Sequence, residues 1–173
     1  MNRITQCLHG KGTVSEVMKH KKGDPDNIPG KYLAFSGMQR PVVFWNLTNA
    51  CNLGCSHCYS RSGPDASDRN ELSTKEIFAS IDDLAQIKIP LILLTGGEPL
   101  MRSDLFRIAE YADKKGIKTA LSSNGTLITP DIATKIRDSA ITYVGISLDG
   151  ASAKIHDRFR NSPGAFDRTK RAF

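Results

Sequence analysis

The sequence predicts an α/β fold whose parallel sheet curves toward a barrel, and three observations support this fold class. Short apolar runs alternate along the chain with segments of helical periodicity, an order typical of parallel strands joined by crossover helices. The runs are continuously apolar, which suits a parallel sheet covered by helices. A polar or glycine-containing cluster follows each run, at the strand ends where α/β folds place their active sites. The convergence of all four clusters on one rim favours a barrel over a doubly wound sheet.

Four strands are predicted, and each is followed by a helix or by the beginning of one. The strands cover residues 42–47, 91–94, 117–121 and 141–148. Ser73 and Glu76 form a capping box that begins the first helix, and Gly116 ends the second. Thr129 and Pro130 begin the third helix in the favoured cap-then-proline order. A last helix is predicted over residues 165–173, which gives about three and a half strand–helix units.

The chain divides into two regions of different character. Residues 1–40 show no sustained periodicity and include a turn-rich connector at residues 23–30, so we expect an N-terminal extension. The periodic pattern begins at Pro41, and residues 41–173 form the predicted core domain.

The composition fits one globular domain with a hydrophobic core, since 39% of the 173 residues are hydrophobic and 24% are charged. The net charge of +6 comes from dispersed basic residues without a recognition motif, so nucleic acid is not an expected partner. No apolar stretch is long enough to span a membrane, and residues 1–12 lack the apolar core of a secretory signal. We therefore expect a cytoplasmic protein that has no membrane partner.

Three of the four cysteines, Cys51, Cys55 and Cys58, follow the first strand in the pattern C-x3-C-x2-C. Clustered cysteines in a reducing compartment indicate metal binding rather than disulfides. Three thiolates can bind three irons of a [4Fe–4S] cubane and leave the fourth iron open to a small molecule. Cys7 stands apart in a polar segment and is interpreted as incidental.

Three other interpretations of the cysteines remain open at this point. A structural zinc site would need His57 as its fourth ligand, although zinc ligands more often form two well-separated pairs and His57 is adjacent to Cys58. A ferredoxin-type cluster would need a fourth cysteine, for which only the distant Cys7 is available. The third alternative is a set of unrelated thiols.

The cysteine motif and Gly96-Gly97-Glu98-Pro99 at the end of the next strand together resemble the two signature motifs of the radical S-adenosylmethionine (SAM) superfamily. This resemblance implies a partial (β/α)6, TIM-like barrel, truncated here after about three and a half βα units. It also implies a [4Fe–4S] cluster and SAM as cofactors. In that family the open iron binds SAM, and an injected electron cleaves it to methionine and a 5′-deoxyadenosyl radical.

The resemblance also assigns SAM-binding roles to residues at the strand ends. Gly96 and Gly97 would leave room for the methionyl group, and Glu98 would accept hydrogen bonds from its ammonium. His57 would flank the adenine. Contacts to the carboxylate or ribose are implied for four residues that turn formation would explain almost as well: Ser123, Asn124, Ser147 and Asp149.

The wider sequence resembles the branch of this superfamily that makes haem by the sirohaem route and haem d1. The resemblance extends over about residues 41–173 and includes the segment from His156 to Phe166. Such enzymes remove acetate or propionate groups from a tetrapyrrole, and the resemblance is closest to members that remove two acetates from didecarboxysirohaem. Peptide-modifying relatives and a non-catalytic iron–sulfur protein remain alternatives. Arg158 and Arg160 are interpreted as solvated surface, with contact to a carboxylate as the alternative.

The resemblance implies a tetrapyrrole substrate and an electron donor of the ferredoxin or flavodoxin type. An oxygen-sensitive cluster leads us to expect an anaerobic host. The family core needs about six strand–helix units, so we interpret this chain as a piece that is inactive alone. The free edge of its fourth strand would then favour aggregation.

Overall fold

The computed structural model describes residues 41–66 and 71–173, in which strands and helices alternate. The strands are β1 (Val43–Thr48), β2 (Leu91–Gly96), β3 (Lys118–Ser123) and β4 (Ile141–Ile146). The helices are α1 (Thr74–Gln86), α2 (Leu105–Lys114), α3 (Pro130–Arg137), α4 (Ala153–Arg160) and α5 (Ala165–Lys170). The predicted N-terminal extension at residues 1–40, including Cys7, lies outside the described residues. No described helix has the length and hydrophobicity needed to cross a membrane.

The four strands form one parallel sheet in the order β1-β2-β3-β4. Because each crossover advances one strand in the same direction, right-handed connections place the helices on one face of the sheet. A doubly wound sheet would reverse its strand order partway and carry helices on both faces. The sequential order is that of a barrel, so the prediction of a partial barrel is confirmed.

The hydrophobic core lies between the helices and the sheet. Its fully buried members include Ile92 and Leu94 of β2 and Leu121 of β3. The apolar faces predicted for the helices supply the other side of this core, with buried residues Ile77, Ile81, Leu105, Ile108, Ala112 and Ile136. Burial of this apolar surface is the main favourable contribution to folding, and it fixes the strand ends that carry the site.

The helix boundaries follow the signals in the sequence. Ser73 and Glu76 form the predicted capping box, in which each side chain bonds the other residue's backbone N–H. The Thr129 side chain accepts from the N–H of Ile132. Gly116 follows the end of α2 with a left-handed φ of +78°, the conformation that stops a helix at little cost for glycine.

One feature differs from the sequence-based expectation. The helix α4 was not anticipated, because its apolar residues are few and a run of charged residues obscures their period. The helices cover one face of the sheet, as in a barrel, and leave the other face open. Phe44 is 72% exposed and Tyr143 is 55% exposed. The strand register places both in one row with Leu93 and Ala120, on the face opposite the helices.

Candidate functional site

One cavity lies at the carboxyl ends of the four strands. It is lined by nine of the residues that the sequence singled out, namely Cys51, Cys55, Cys58, His57, Gly96, Gly97, Ser123, Asn124 and Ser147. The remaining two, Glu98 and Asp149, contact the lining residues Ser123, His57 and Arg160. The structure therefore brings all four polar clusters together at one site.

The cysteine loop that follows β1 is fixed by hydrogen bonds to segments distant in sequence. The Cys51 N–H donates to the Gly63 carbonyl at 3.2 Å, and the Ser56 N–H donates to the Phe159 carbonyl at 3.0 Å. Phe159 belongs to the last turn of α4, so this helix holds the part of the loop between the second and third cysteines. These hydrogen bonds fix the position of the cysteine loop.

The thiols of Cys51 and Cys58 have opposite electrostatic environments. Burial, together with the negative charges of Glu98 and Cys55, raises the pKa of the Cys51 thiol. Burial also acts to raise the pKa of the Cys58 thiol, but hydrogen bonds from the Ser60 hydroxyl and from the N–H groups of residues 60–62 lower that pKa below its ordinary value. Cys58 therefore forms a thiolate more readily than Cys51.

Cys51, Cys55 and Cys58 carry free thiols, and their binding of a [4Fe–4S] cluster stays a prediction. Within residues 41–66 and 71–173, no three His, Cys, Asp or Glu side chains are arranged as the ligands of one ion. A cubane does not require that arrangement, because each thiolate binds a different iron. The zinc site considered above would require four ligands around one ion.

Gly96 and Gly97 bring the end of β2 against the start of the cysteine loop. A Cβ on Gly97 would lie 2.2 Å from the Ala50 carbonyl oxygen, and one on Gly96 would lie 2.4 Å from the Thr48 oxygen. The Gly97 N–H donates to the Thr48 carbonyl at 2.7 Å. Both glycines line the cavity. Because they have no side chain, the β2 backbone can approach the cysteine loop and the cavity stays unfilled at this point. Their contact with SAM remains a prediction.

Glu98 is completely buried and joins the end of β2 to the turn after β3. Its Oε1 accepts from the Ser123 hydroxyl at 2.9 Å, and its Oε2 accepts from the Asn124 N–H at 2.8 Å. Burial raises its pKa, while these hydrogen bonds and the charge of Arg160 act in the opposite direction. The carboxylate does not line the cavity, because its oxygens are bound to Ser123 and Asn124. Its contact with the SAM ammonium remains a prediction.

Asn124 connects the β3 turn to the cysteine loop. Its Nδ2 donates to the Asn52 Oδ1 at 2.9 Å and lies 3.9 Å from the Cys51 Sγ. Its Oδ1 accepts from the Thr126 hydroxyl at 2.7 Å, and that hydroxyl accepts from the Asn52 Nδ2 at 2.8 Å. Asn124 thus has a defined role in holding the first cysteine, which the sequence analysis did not identify.

Arg160 is buried, and its interpretation as solvated surface is therefore wrong, whereas Arg158 is exposed as expected. The Nε of Arg160 lies 2.5 Å from the Asp149 Oδ2, although this buried N–H is not aligned for a hydrogen bond. Its other nitrogens lie 3.3 Å from the Ser147 carbonyl oxygen and 3.8 Å from the Cys55 Sγ. The i to i+4 spacing of His156 and Arg160, both facing inward on α4, was the available signal.

Asp149 lies between two basic side chains at the rim of the cavity. Its Oδ2 is 3.8 Å from the His57 Nε2 in addition to its contact with Arg160. The His57 ring packs edge-on against Phe159 with centroids 5.4 Å apart. The backbone N–H of Asp149 donates to the Nδ1 of the fully buried His156 at 3.2 Å. These contacts hold the loop after β4 against the cysteine loop.

Several known proteins are similar to this chain in sequence. The family model of the radical SAM superfamily matches residues 45–173. Fe-coproporphyrin III synthase of Methanosarcina barkeri is 46% identical over 158 residues, which cover 90% of this chain and 39% of that relative. The AdoMet-dependent heme synthase of the same organism is 44% identical, over 74% of this chain and 36% of the relative. Mycofactocin maturase MftC of Mycolicibacterium smegmatis is 41% identical, over 79% and 34% respectively.

Solved structures resemble the fold at lower sequence identity. The structure of anSMEcpe with bound AdoMet has a TM-score of 0.62 and 22% identity, covering 78% of this chain and 39% of that one. SuiB of Streptococcus suis bound to its precursor peptide has a TM-score of 0.63 and 18% identity, covering 97% and 41%. The chain thus spans about two fifths of the length of the proteins it resembles.

Proposed function

The chain belongs to the radical SAM superfamily, and we propose that it is the cluster-binding part of an enzyme that cleaves SAM to modify an iron tetrapyrrole. Cys51, Cys55 and Cys58 would hold a [4Fe–4S] cluster. The observation that carries the proposal is the shared cavity, in which the cysteines lie beside the glycines of β2 and the polar ends of β3 and β4.

When bound, the cluster would supply one electron to the sulfonium of SAM, breaking the carbon–sulfur bond to give methionine and a 5′-deoxyadenosyl radical. The chain's own residues would orient the substrate of that step. Gly97 would let the methionyl group approach the backbone, and the buried Arg160 guanidinium would pair with its carboxylate. His57, with its ring steadied by Phe159, would flank the adenine.

Hydrogen bonds within the site would hold its geometry when the ligand binds. Glu98 and Asn124 fix the β2 and β3 ends against each other and against the cysteine loop. A fixed arrangement of this kind removes the entropic cost of assembling the reactants and avoids reorganisation during the reaction.

The proposed substrate is a sirohaem-derived iron tetrapyrrole, from which acetate side chains are removed. Support comes from the 46% identity to Fe-coproporphyrin III synthase and the 44% identity to an AdoMet-dependent heme synthase. A ferredoxin- or flavodoxin-type protein would deliver the electron.

A peptide-modifying reaction is the second candidate. The 41% identity to mycofactocin maturase MftC favours it, and so does the fold similarity to a peptide-bound SuiB. A non-catalytic iron–sulfur protein is the alternative of another class. These three candidates make different predictions for SAM cleavage and for the molecule that is modified.

The test uses the whole protein reconstituted with iron and sulfide without oxygen, then given SAM and dithionite. We expect 5′-deoxyadenosine from the wild type and none from Cys55→Ala, with Ser56→Ala as the control from the same loop. Absence of 5′-deoxyadenosine from the cluster-loaded wild type would refute the enzymatic proposal. Didecarboxysirohaem is then added and its mass measured, and an unchanged mass during active SAM cleavage would refute the tetrapyrrole substrate alone.

A further inference from the structure

The hydroxyls of Ser60 and Ser62 form a chain of hydrogen bonds that reaches the sulfur of Cys58. The Ser60 Oγ lies 3.3 Å from the Cys58 Sγ, and the Ser62 Oγ lies 2.8 Å from the Ser60 Oγ. Both serines line the cavity that the cysteines face, and Ser62 is only 7% exposed. None of the SAM-binding roles proposed above uses these hydroxyls.

A turn in the backbone at Arg61 brings Ser60 and Ser62 close to Cys58. Arg61 adopts a left-handed φ of +52°, which is uncommon for a residue other than glycine. The turn is closed by the Arg61 N–H, which donates to the Cys58 carbonyl oxygen at 3.3 Å. Backbone strain at such a place is typical of functional sites.

The direction of the hydroxyl hydrogen bonds follows from the state of the sulfur. A cysteine bound to iron is a thiolate without a hydrogen, so Ser60 must donate to Cys58. The Ser60 oxygen is then available as an acceptor for the Ser62 hydroxyl. Because each hydrogen bond polarises the next, Ser62 strengthens the bond from Ser60 to the sulfur.

We propose that Ser60, assisted by Ser62, raises the reduction potential of the [4Fe–4S] cluster and so eases its one-electron reduction. This inference rests on the proposed function, because it takes Cys58 as a cluster ligand. When bound, the cluster would accept one electron from an external low-potential donor and go from the 2+ to the 1+ state, with no bond broken. The added negative charge is shared by the sulfurs, and hydrogen bonds to cluster sulfurs favour the reduced form. Ser60 is a positioning residue that acts through Cys58.

The experiment is a redox titration of the reconstituted whole protein without SAM, in which the EPR signal of the reduced cluster gives the midpoint potential. Ser60→Ala is expected to shift the midpoint to a more negative value, and Ser62→Ala to shift it less. The double variant should shift no further than Ser60→Ala, because Ser62 acts through Ser60. Ser60→Thr keeps the hydroxyl and should restore the wild-type midpoint.

Ser56→Ala is the matched control, because its hydroxyl donates to the Phe159 carbonyl at 3.3 Å instead of to a sulfur. Its midpoint should equal that of the wild type. An unshifted midpoint in Ser60→Ala at equal iron content would overturn the inference, as would additive shifts in the double variant. If Ser60→Ala loads no cluster, the midpoint of Ser62→Ala tests the inference instead, because this variant keeps the contact between Ser60 and Cys58. An unshifted midpoint in Ser62→Ala would then overturn the inference. A wild-type protein that loads no cluster would instead refute the proposed function.

Discussion

Arg160 carries a buried positive charge beside groups that attract it. Its neighbours are the Asp149 carboxylate, the Ser147 carbonyl and the Cys55 sulfur. A buried charge is retained in proteins when it is paired or when it serves a site. Asp149 also lies near His57, so it is shared between two basic groups. Arg160 is therefore well placed to receive a second carboxylate from a ligand in the cavity.

Replacing Arg160 by glutamine should weaken SAM binding by roughly thirtyfold or more, because truncating one partner of a buried charge pair costs about 2–5 kcal/mol. Arg158→Gln is the matched control, since Arg158 is exposed on the same helix. Equilibrium binding of SAM to the cluster-loaded variants would measure the effect. Equal affinities for the Arg160 and Arg158 variants would exclude a carboxylate contact by Arg160.

His156 gives the stability of the protein a dependence on pH. It is fully buried, and its Nδ1 accepts the Asp149 N–H, an interaction that protonation would remove. Burial and the nearby Arg160 lower the pKa of His156, against smaller opposing effects of Asp149 and Asp157. The unfolded chain then binds more protons than the folded one. The free energy of unfolding should therefore fall as the pH drops below about 6.5, until the folded-state pKa is reached.

Denaturant unfolding of the wild type and of His156→Gln across this pH range would check the prediction. The glutamine variant cannot titrate, so its free energy of unfolding should change less between neutral and mildly acidic pH. An identical pH dependence in both proteins would show that His156 does not cause it.

At the scale of elements, the site depends on the close approach of the β2 end to the cysteine loop. Gly97→Ala would place a Cβ 2.2 Å from the Ala50 carbonyl oxygen, a backbone atom that cannot move independently. We expect a loss of about 1–3 kcal/mol in stability and a lower iron content after reconstitution. Thermal unfolding and iron analysis would measure both.

Gly54→Ala is the control for this prediction, because a Cβ there would lie 3.9 Å from the Asn161 side chain, an ordinary van der Waals contact. It lies in the same cysteine loop and should load iron normally. If both variants lost iron equally, the effect would come from loop stiffness in general. A Gly97→Ala protein with wild-type stability and iron content would contradict the steric argument.

The sequence allowed the elements and their common rim to be predicted, because those depend on local signals. Helix boundaries depend on interactions within a few residues, so the sequence alone indicates them. Examples are the caps at Ser73 and Thr129 and the helix end at Gly116. The burial of Arg160 depends on tertiary contacts with the loop after β4 and with the cysteine loop. Such contacts join residues far apart in sequence, and the i to i+4 spacing of His156 and Arg160 indicates only that both lie on one face of α4.

The same reason separates the two serines from the cysteines. The spacing of the three cysteines indicates a metal cluster, whereas nothing in the sequence distinguishes Ser60 and Ser62 from other loop residues. Their role emerges only from the left-handed turn at Arg61, which aligns them with one sulfur. The grouping of the cysteines was therefore predictable, while the contact of the two serine hydroxyls with Cys58 required the structure.

At the scale of the whole molecule, the described sheet has one packed face and one open face. The open face carries a row formed by Phe44, Leu93, Ala120 and Tyr143, each paired with its neighbour on the next strand. Phe44 and Tyr143 at the two ends of this row are the most exposed, at 72% and 55%. In a barrel this face would point inward, toward the other strands and the substrate. Among the described residues, Phe44 and Tyr143 are exposed apolar side chains on this face, whereas Ala120 between them is buried.

The 173-residue chain should therefore associate with itself through this face. Burying one aromatic side chain contributes about 1.5–3 kcal/mol, so Phe44→Ser combined with Tyr143→Ser should shift the population toward monomer. Phe173→Ser is the control, because Phe173 is 81% exposed but lies outside the row. Light scattering during gel filtration would give the mass of each variant. Association that persists in the double variant would point instead to pairing at the free edge of β4, where unpaired backbone groups recruit another strand.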